Sequence, residues 1–239
     1  MIEAVLFDID GTLLDHESAS EGSLRALIEL ERDDLDERAH ADLLTEWRRL
    51  EALHYDTYLS GEIDLGEQRR RRAAGILAWL DLEERDHDGL DAWWQRFLDG
   101  YRERWRAYED AEPAMAAIEA AGLTLGVITN ADGPIQRRKL EALGFLDRLP
   151  AFVASSEVGS AKPAPEIFGA ACDLVGLDPE GVAYVGDRLD TDARGARDAG
   201  LLGIWVDRAG EAAKLAERGE EAGVPVIASL SELEQALGG

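Results

Sequence analysis

Cysteine is almost absent from this chain of 239 residues. Cys172 stands alone, so no internal disulfide can form. It lies in an apolar helical stretch, where a thiol packs as a small core residue. Lysine is nearly as scarce: Lys139, Lys162 and Lys214 are the only lysines among 25 basic residues, and the rest are arginines. No apolar run approaches the roughly 20 residues that a membrane span requires. The opening Met1-Ile2-Glu3 lacks the basic and apolar regions of a signal peptide. Positive charge is in deficit overall, with 50 acidic residues and a formal net charge of −25. These shortages exclude a disulfide scaffold and a membrane-spanning chain. The negative field disfavours nucleic acid and anionic membranes as partners. A cytoplasmic protein, monomeric or homodimeric, is the expectation.

Such a charge also repels itself and costs stability unless salt screens it. The Debye length falls to about 3 Å at 1 M salt. The composition resembles that of proteins from halophilic archaea and implies a salt-rich, halophilic setting. On that reading the melting temperature rises between low and molar KCl. A temperature that stays flat across that range would contradict it.

What is present has a clear order. From about Asp15 to Tyr108 no strand signal stands out. "SLRALIELE" and "LDAWWQRFLDGYRERW" place apolar residues at intervals of three and four, which predicts helices. Trp47, Trp79, Trp93, Trp94 and Trp105 are spread along this stretch and read as packing residues. After Tyr108 short apolar runs alternate with helical segments. Strands are expected at 123–129, 151–156, 182–186, 202–206 and 224–228. Helices are expected near 112–121, 133–143, 164–175, 190–199 and 211–222. A last helix is expected to open with a capping box at Ser231 to Glu234. This alternation implies an α/β fold, a Rossmann-like parallel sheet with helices on both faces. The first strand, Ala4 to Phe7, belongs to that sheet. The helical stretch is therefore an inserted all-helical cap, residues 15–108, on a core of residues 1–14 and 109–239.

In open parallel sheets ligands bind outside the carboxyl ends of the strands. Polar and charged groups collect at those ends here. The first strand ends in Asp8-Ile9-Asp10-Gly11-Thr12, the second in Thr129-Asn130. The third leads through "SEVGSAKP" to Lys162, and the fourth ends in Gly186-Asp187, with Asp190 and Asp192 just beyond. Carboxylates gathered at one point repel one another unless a cation sits among them. Oxygen ligands without His or Cys favour Mg²⁺ over zinc or copper. Thr129, Asn130 and Lys162 supply the hydrogen-bond donors and fixed positive charge that a phosphoryl group needs. Backbone N–H groups around Gly11 and Thr12 can add donors.

These residues resemble the motifs of haloacid dehalogenase (HAD) superfamily hydrolases with a helical cap. All four motifs occur in order: Asp8-Ile-Asp10-Gly-Thr, Thr129 closing an apolar strand, Lys162-Pro163, and Gly186-Asp187 followed by Asp192. "TNADGPIQRRKLEALG", "SSEVGSAKPAPEIF" and "YVGDRLDTDARGARDAGLLGIWVDR" resemble the branch of nucleotidases, sialic-acid-phosphate phosphatases and flavin-precursor phosphatases. The resemblance implies a Mg²⁺-dependent phosphatase acting on a small phosphorylated metabolite through an aspartyl phosphate. Asp8 would be the nucleophile and Asp10 the general acid and base. Mg²⁺ would be held by Asp8, the Asp10 carbonyl and Asp187. Asp192 would orient a metal water or Lys162, and Asp190 would cap a helix or face solvent.

Other residues carry weaker signals. His16 could line the cleft or sit at a hinge. His54, Tyr55 and Tyr58 could read the substrate or pack between cap helices. Arg69 to Arg72 read as a solvated helix face rather than an anion site. Three other activities stay open at this stage. A phosphomutase would pass the phosphoryl group to a sugar hydroxyl. A 2-haloacid dehalogenase typically lacks the second acid, so Asp10 argues against it. A phospho-accepting signalling module would be shorter and have no inserted cap.

Overall fold

The computed structural model describes residues 1–218 and 220–238, without the side chains of Asp56 and Leu59. The chain divides into two compact units, Met1–His16 with Trp105–Gly239, and Glu17–Arg104. The first is built on six strands: β1 (Ala4–Phe7), β2 (Thr124–Thr129), β3 (Ala151–Ala154), β4 (Val182–Gly186), β5 (Leu202–Val206) and β6 (Val226–Ile227). They lie in the order β3-β2-β1-β4-β5-β6, and every pairing is parallel. The expected α/β class is the one observed.

Strand β1 is fully buried, which is why its sequence is continuously apolar rather than alternating. It pairs with β2 on one side and β4 on the other, with Phe7 level with Val127 and Val185. The strand order therefore reverses at β1, and the carboxyl ends of β1, β2 and β4 open on one crevice. Leu6, Ile128, Val153, Phe168 and Tyr184 form part of the core beneath it.

The helices of this unit are α5 (Ala111–Ala120), α6 (Gly133–Leu143), α7 (Ser155–Val158), α8 (Pro165–Val175), α9 (Gly195–Asp198), α10 (Glu211–Glu217) and α11 (Leu233–Ala236). Several differ from the sequence expectation. Residues 155–156 turn into α7 instead of continuing β3. The helix expected over 190–199 opens as a wide π turn, Leu189–Arg194, before α9. That widening lets both Asp192 and Ala193 face inward, where each is buried. The final helix has no capping box at Ser231. Its N-cap is Glu232, without a side-chain bond, and Ser229 caps the 3-10 turn Leu230–Glu232 just before it, its hydroxyl accepting from the Ser231 N–H at 3.2 Å.

The chain segments that leave and re-enter this unit are paired with each other. Leu14 bridges Ala107, the Asp15 N–H donates to the Arg106 carbonyl at 2.9 Å, and the Tyr108 N–H donates to the Leu13 carbonyl at 3.0 Å. The Arg208 fork then grips Asp110 at 2.9 Å through each of its two terminal nitrogens. It also donates to the Thr12 carbonyl at 3.1 Å, which fixes the loop after β1.

The second unit is helical: α1 (His16–Glu29, which begins in the first unit), α2 (Glu37–Leu59), α3 (Leu65–Trp79) and α4 (His87–Glu103). Trp47, Trp93, Trp94, Phe97 and Tyr101 are buried together, with Phe97 4.9 Å from Trp47 and 5.0 Å from Trp94. Trp79 remains 40% exposed. The arginine run is not a uniform solvated face. Arg70 and Arg71 pair with Glu67, and Arg70 also reaches Asp91. Arg72 is buried, 4.0 Å over the Trp47 ring, with Glu51 at 2.9 Å. The reason is helical spacing: Gln68, Arg72 and Ile76 share the inward stripe of α3. A guanidinium stacked on an indole retains part of its electrostatic stabilisation there. No helix of the described residues is long and apolar enough to cross a membrane.

Candidate active site

The crevice gathers groups from four strand ends. Asp8 follows β1, and its N–H continues the ladder to the Val185 carbonyl at 2.8 Å. Its side chain is 9% exposed. Lys162 arrives on the loop between α7 and α8 and is almost completely buried. Its Nζ lies 2.6 Å from Asp8 Oδ1, 2.7 Å from Asp192 Oδ1, 2.7 Å from Tyr184 Oη and 3.2 Å from the Ile128 carbonyl. Tyr184 in turn donates to that carbonyl at 2.9 Å. The lysine head thus sits in a socket whose walls are set by β2 and β4.

Asn130 holds the backbone of the same lysine. Its amide donates to the Lys162 carbonyl at 2.8 Å and its oxygen accepts from the Lys162 N–H at 2.7 Å. The Asn130 side chain therefore holds the lysine loop, in addition to being near the site.

The loop after β1 depends on a glycine. Gly11 has φ +89°, and a Cβ there would stand 2.3 Å from Asp187 Oδ2. Any side chain would displace the Asp187 carboxylate. The Gly11 N–H is donated to the Leu14 carbonyl at 2.9 Å, so this donor is spent inside the loop. Gly186 serves the same purpose on the other wall, where a Cβ would meet Asp192 Cβ at 2.4 Å. Thr12 is fully buried, and its hydroxyl has no partner among the described residues.

Asp8, Asp187 and Asp192 each place one carboxylate oxygen within 4.8 Å of the others. Burial raises Asp8 to about 6, against the pull of Lys162 and with a push from Asp192. Burial raises Asp187 well above the carboxylate range, helped by Asp192 and Asp8. Burial lowers Lys162, but Asp192 and Asp8 outweigh it and the ammonium is held well above its ordinary value. Lys162, with Arg188 acting on Asp187 alone, thus faces three carboxylates. The trio is all oxygen, short of positive charge and grouped tightly, which fits a hard divalent cation such as Mg²⁺.

Asp10 has a different environment. Its carboxylate is 28% exposed and lies outside that trio. Lys139 Nζ lies 2.6 Å from Oδ1 and 2.7 Å from Oδ2. Gln136 Nε2 donates to Oδ2 at 2.9 Å and to Thr129 Oγ1 at 2.8 Å. His16 Nδ1 is 3.8 Å from Oδ1. Burial pushes Asp10 up, but Lys139, His16 and the hydrogen bonds outweigh it and hold the group well below the usual range. Two carboxylates two residues apart are thereby set in opposite directions.

Asp190 sits at the surface, 80% exposed and paired with Arg194 at 2.6 Å. His54, Tyr55 and Tyr58 lie on α2 in the helical unit, where the Tyr55 and Tyr58 rings are 6.1 Å apart. Burial and the nearby Arg71, Arg72 and Arg49 lower the His54 imidazole. Three residues of the site, Tyr184, Gln136 and Lys139, lie inside stretches that resemble the family but were not singled out as site residues from the sequence. The only available signals were a tyrosine inside a buried strand and two polar residues three apart on the helix after Thr129.

The chain belongs to the haloacid dehalogenase-like hydrolase family, which it matches over residues 2–200. A glyceraldehyde 3-phosphate phosphatase from Methanopyrus kandleri is 33% identical over 217 residues, covering 87% of this chain and 85% of the relative. A rat N-acylneuraminate-9-phosphatase is 26% identical, covering 87% and 84%. In structure the fold matches the magnesium-bound HAD hydrolase YfnB from Bacillus subtilis with a TM-score of 0.78 at 22% identity, over 99% of both chains.

Proposed function

We propose that the protein is a Mg²⁺-dependent phosphatase that hydrolyses a small phosphorylated metabolite through an aspartyl phosphate on Asp8. Family membership and relatives that are phosphatases over most of their length make it a phosphoric monoester hydrolase. The observation that carries the finer reading is the pairing of a buried Lys162 with Asp8 beside Asp187 and Asp192. That arrangement offers a nucleophile, a cation for phosphoryl oxygens and an oxygen-only ion site in one crevice.

Asp8 would attack phosphorus, and Lys162 and Thr129 would hold the phosphoryl oxygens. Thr12, with its unpartnered buried hydroxyl, is suited to the same task. Asn130 would keep the Lys162 loop in place, and Tyr184 would keep its ammonium aimed at Asp8. Asp10 would protonate the leaving oxygen and then take a proton from water. Its ionised resting form suits the second task, and a phosphate dianion arriving beside it works in the direction of protonation. Asp8 and Asp187 would hold Mg²⁺, together with the Asp10 carbonyl expected from the family, and Asp192, whose two oxygens accept from Lys162 and from the Arg188 N–H, would orient Lys162 or a metal water. When bound, Mg²⁺ offsets the repulsion between Asp8 and the phosphate and polarises the phosphoryl oxygens. Asp10 separates this chemistry from dehalogenation, and release of free phosphate without an isomerised product separates it from a mutase.

The test is a phosphate-release screen over sugar phosphates, nucleotides, phosphoglycolate and flavin precursors, with Mg²⁺ and molar KCl to match the acidic composition. Release that EDTA stops is the expected result; release that persists in EDTA overturns the metal-dependent reading. Stability gives a second check. Asp8 and Asp187 are raised above their unfolded values, so their contribution is favourable at low pH and is lost as pH climbs through about 6 and beyond. Mg²⁺ should therefore raise the melting temperature more at pH 8 than at pH 5. A gain as large at pH 5 would mean that the ion binds elsewhere.

A further inference from the structure

We propose that Lys139 and Gln136 are positioning residues that hold the Asp10 carboxylate in register with Thr129, an inference that rests on the phosphatase reading of the site. The two side chains leave α6 three residues apart and so share one face. Both are buried, Gln136 at 1% and Lys139 at 6% exposure. The ammonium of Lys139 spans both oxygens of Asp10, while Gln136 joins Asp10 to Thr129 through one amide nitrogen. Asp10 accepts only, so the amide must present its NH₂ to it, which fixes the orientation of Gln136. A helix that comes after the second strand thus ties the acid of the first loop to the hydroxyl of the second.

Residue choice supports the same conclusion. In a chain that uses arginine for almost every basic position, two of the three lysines are buried on the carboxylates of the site: Lys162 on Asp8 and Lys139 on Asp10. The third, Lys214, makes a surface pair with Glu211. An ammonium is a compact point charge that can sit between two carboxylate oxygens and beside the Trp105 ring, 6.0 Å from Nζ to its centroid. A guanidinium fork is larger and would push Asp10 from its place. The two buried lysines thus sit where charge is delivered in a small volume.

A positioned acid matters most when the leaving group is poor. An alkoxide needs its proton, whereas nitrophenolate leaves as the anion. The experiment compares wild type, Lys139→Met and Gln136→Leu on p-nitrophenyl phosphate and on an alkyl phosphomonoester, with kcat/KM reporting the first transfer. Lys139→Met is expected to lower kcat/KM on the alkyl ester by about 10²-fold, within the range a general acid supplies, and on the nitrophenyl ester by about fivefold or less. Its kcat should carry most of the loss, with KM within about threefold. Gln136→Leu should lose activity in the same selective way by about tenfold, and it stands in if Lys139→Met does not fold. Equal losses on the two esters, or none, overturn the inference and leave the phosphatase reading intact. A wild type that releases phosphate from neither ester overturns both.

Discussion

Replacing Asp8 by Asn abolishes phosphate release, by at least about 10³-fold, because the amide cannot form the aspartyl phosphate. The same variant should melt at a higher temperature than wild type when metal is withheld at pH 8. Burial and Asp192 make the Asp8 charge unfavourable, as its rise to about 6 records, and Asn removes that charge without changing the shape. At pH 5 wild-type Asp8 is largely protonated, so the difference in melting temperature should shrink. Activity and stability would then move in opposite directions at one atom, as expected where a site is built for chemistry at the cost of stability. Residual turnover near the wild-type rate would rule out Asp8 as the nucleophile. An unchanged or lowered melting temperature at pH 8 would show that its carboxylate is not destabilising.

Lys162→Met should give the largest loss of stability. It removes the cation that serves Asp8 and Asp192 together and leaves two buried carboxylates facing each other. Breaking a buried pair costs about 3–5 kcal/mol. In a chain of this size that corresponds to a fall of roughly 6–20 °C, at about 2–4 °C per kcal/mol. The loss should be greater at pH 8 than at pH 5, since acid discharges the orphaned carboxylates. Lys214→Met is the matched control: its surface pair with Glu211 is worth little, and thermal melts should barely register it. Equal melting temperatures for the two variants would show that Lys162 is not the keystone of the charge cluster.

The fold was legible because its signals are local. Buried parallel strands are written as largely apolar runs: "AVLF" and "VAYVG" form the strands expected, and "TLGVIT" forms one that starts a residue later than expected. The edges were less legible. Ser155 and Ser156 continue an apolar run and looked like strand, yet they turn into a short helix. At the C-terminus a 3-10 turn capped by Ser229 replaces the start of the expected helix, and Ser229 is also anchored to Asp110 at 2.7 Å. That anchor joins residues 119 apart in sequence, which no window of neighbouring residues contains. The same limit applied to Arg72. As one of four consecutive arginines it looked solvated, and only the packing of α2 and α4 against α3 encloses it with Trp47 and Trp94.

The sequence by itself determined the chemical inventory and its address. Asp8, Asp10, Thr129, Lys162, Asp187 and Asp192 stand after successive strands, and a parallel sheet brings strand ends to one edge whatever lies between them. Only the tertiary structure decided what each group is next to. It set Asp10 on Lys139, Gln136 and His16 rather than in the trio of Asp8, Asp187 and Asp192, and it placed Tyr184 and Asn130 around Lys162. The physical reason lies in range. Strand placement comes from hydrophobic periodicity over a few residues. The charge state of a carboxylate depends on charged groups within about 4–6 Å, and for Asp8 and Asp10 the paired ammonium comes from a segment more than a hundred residues away.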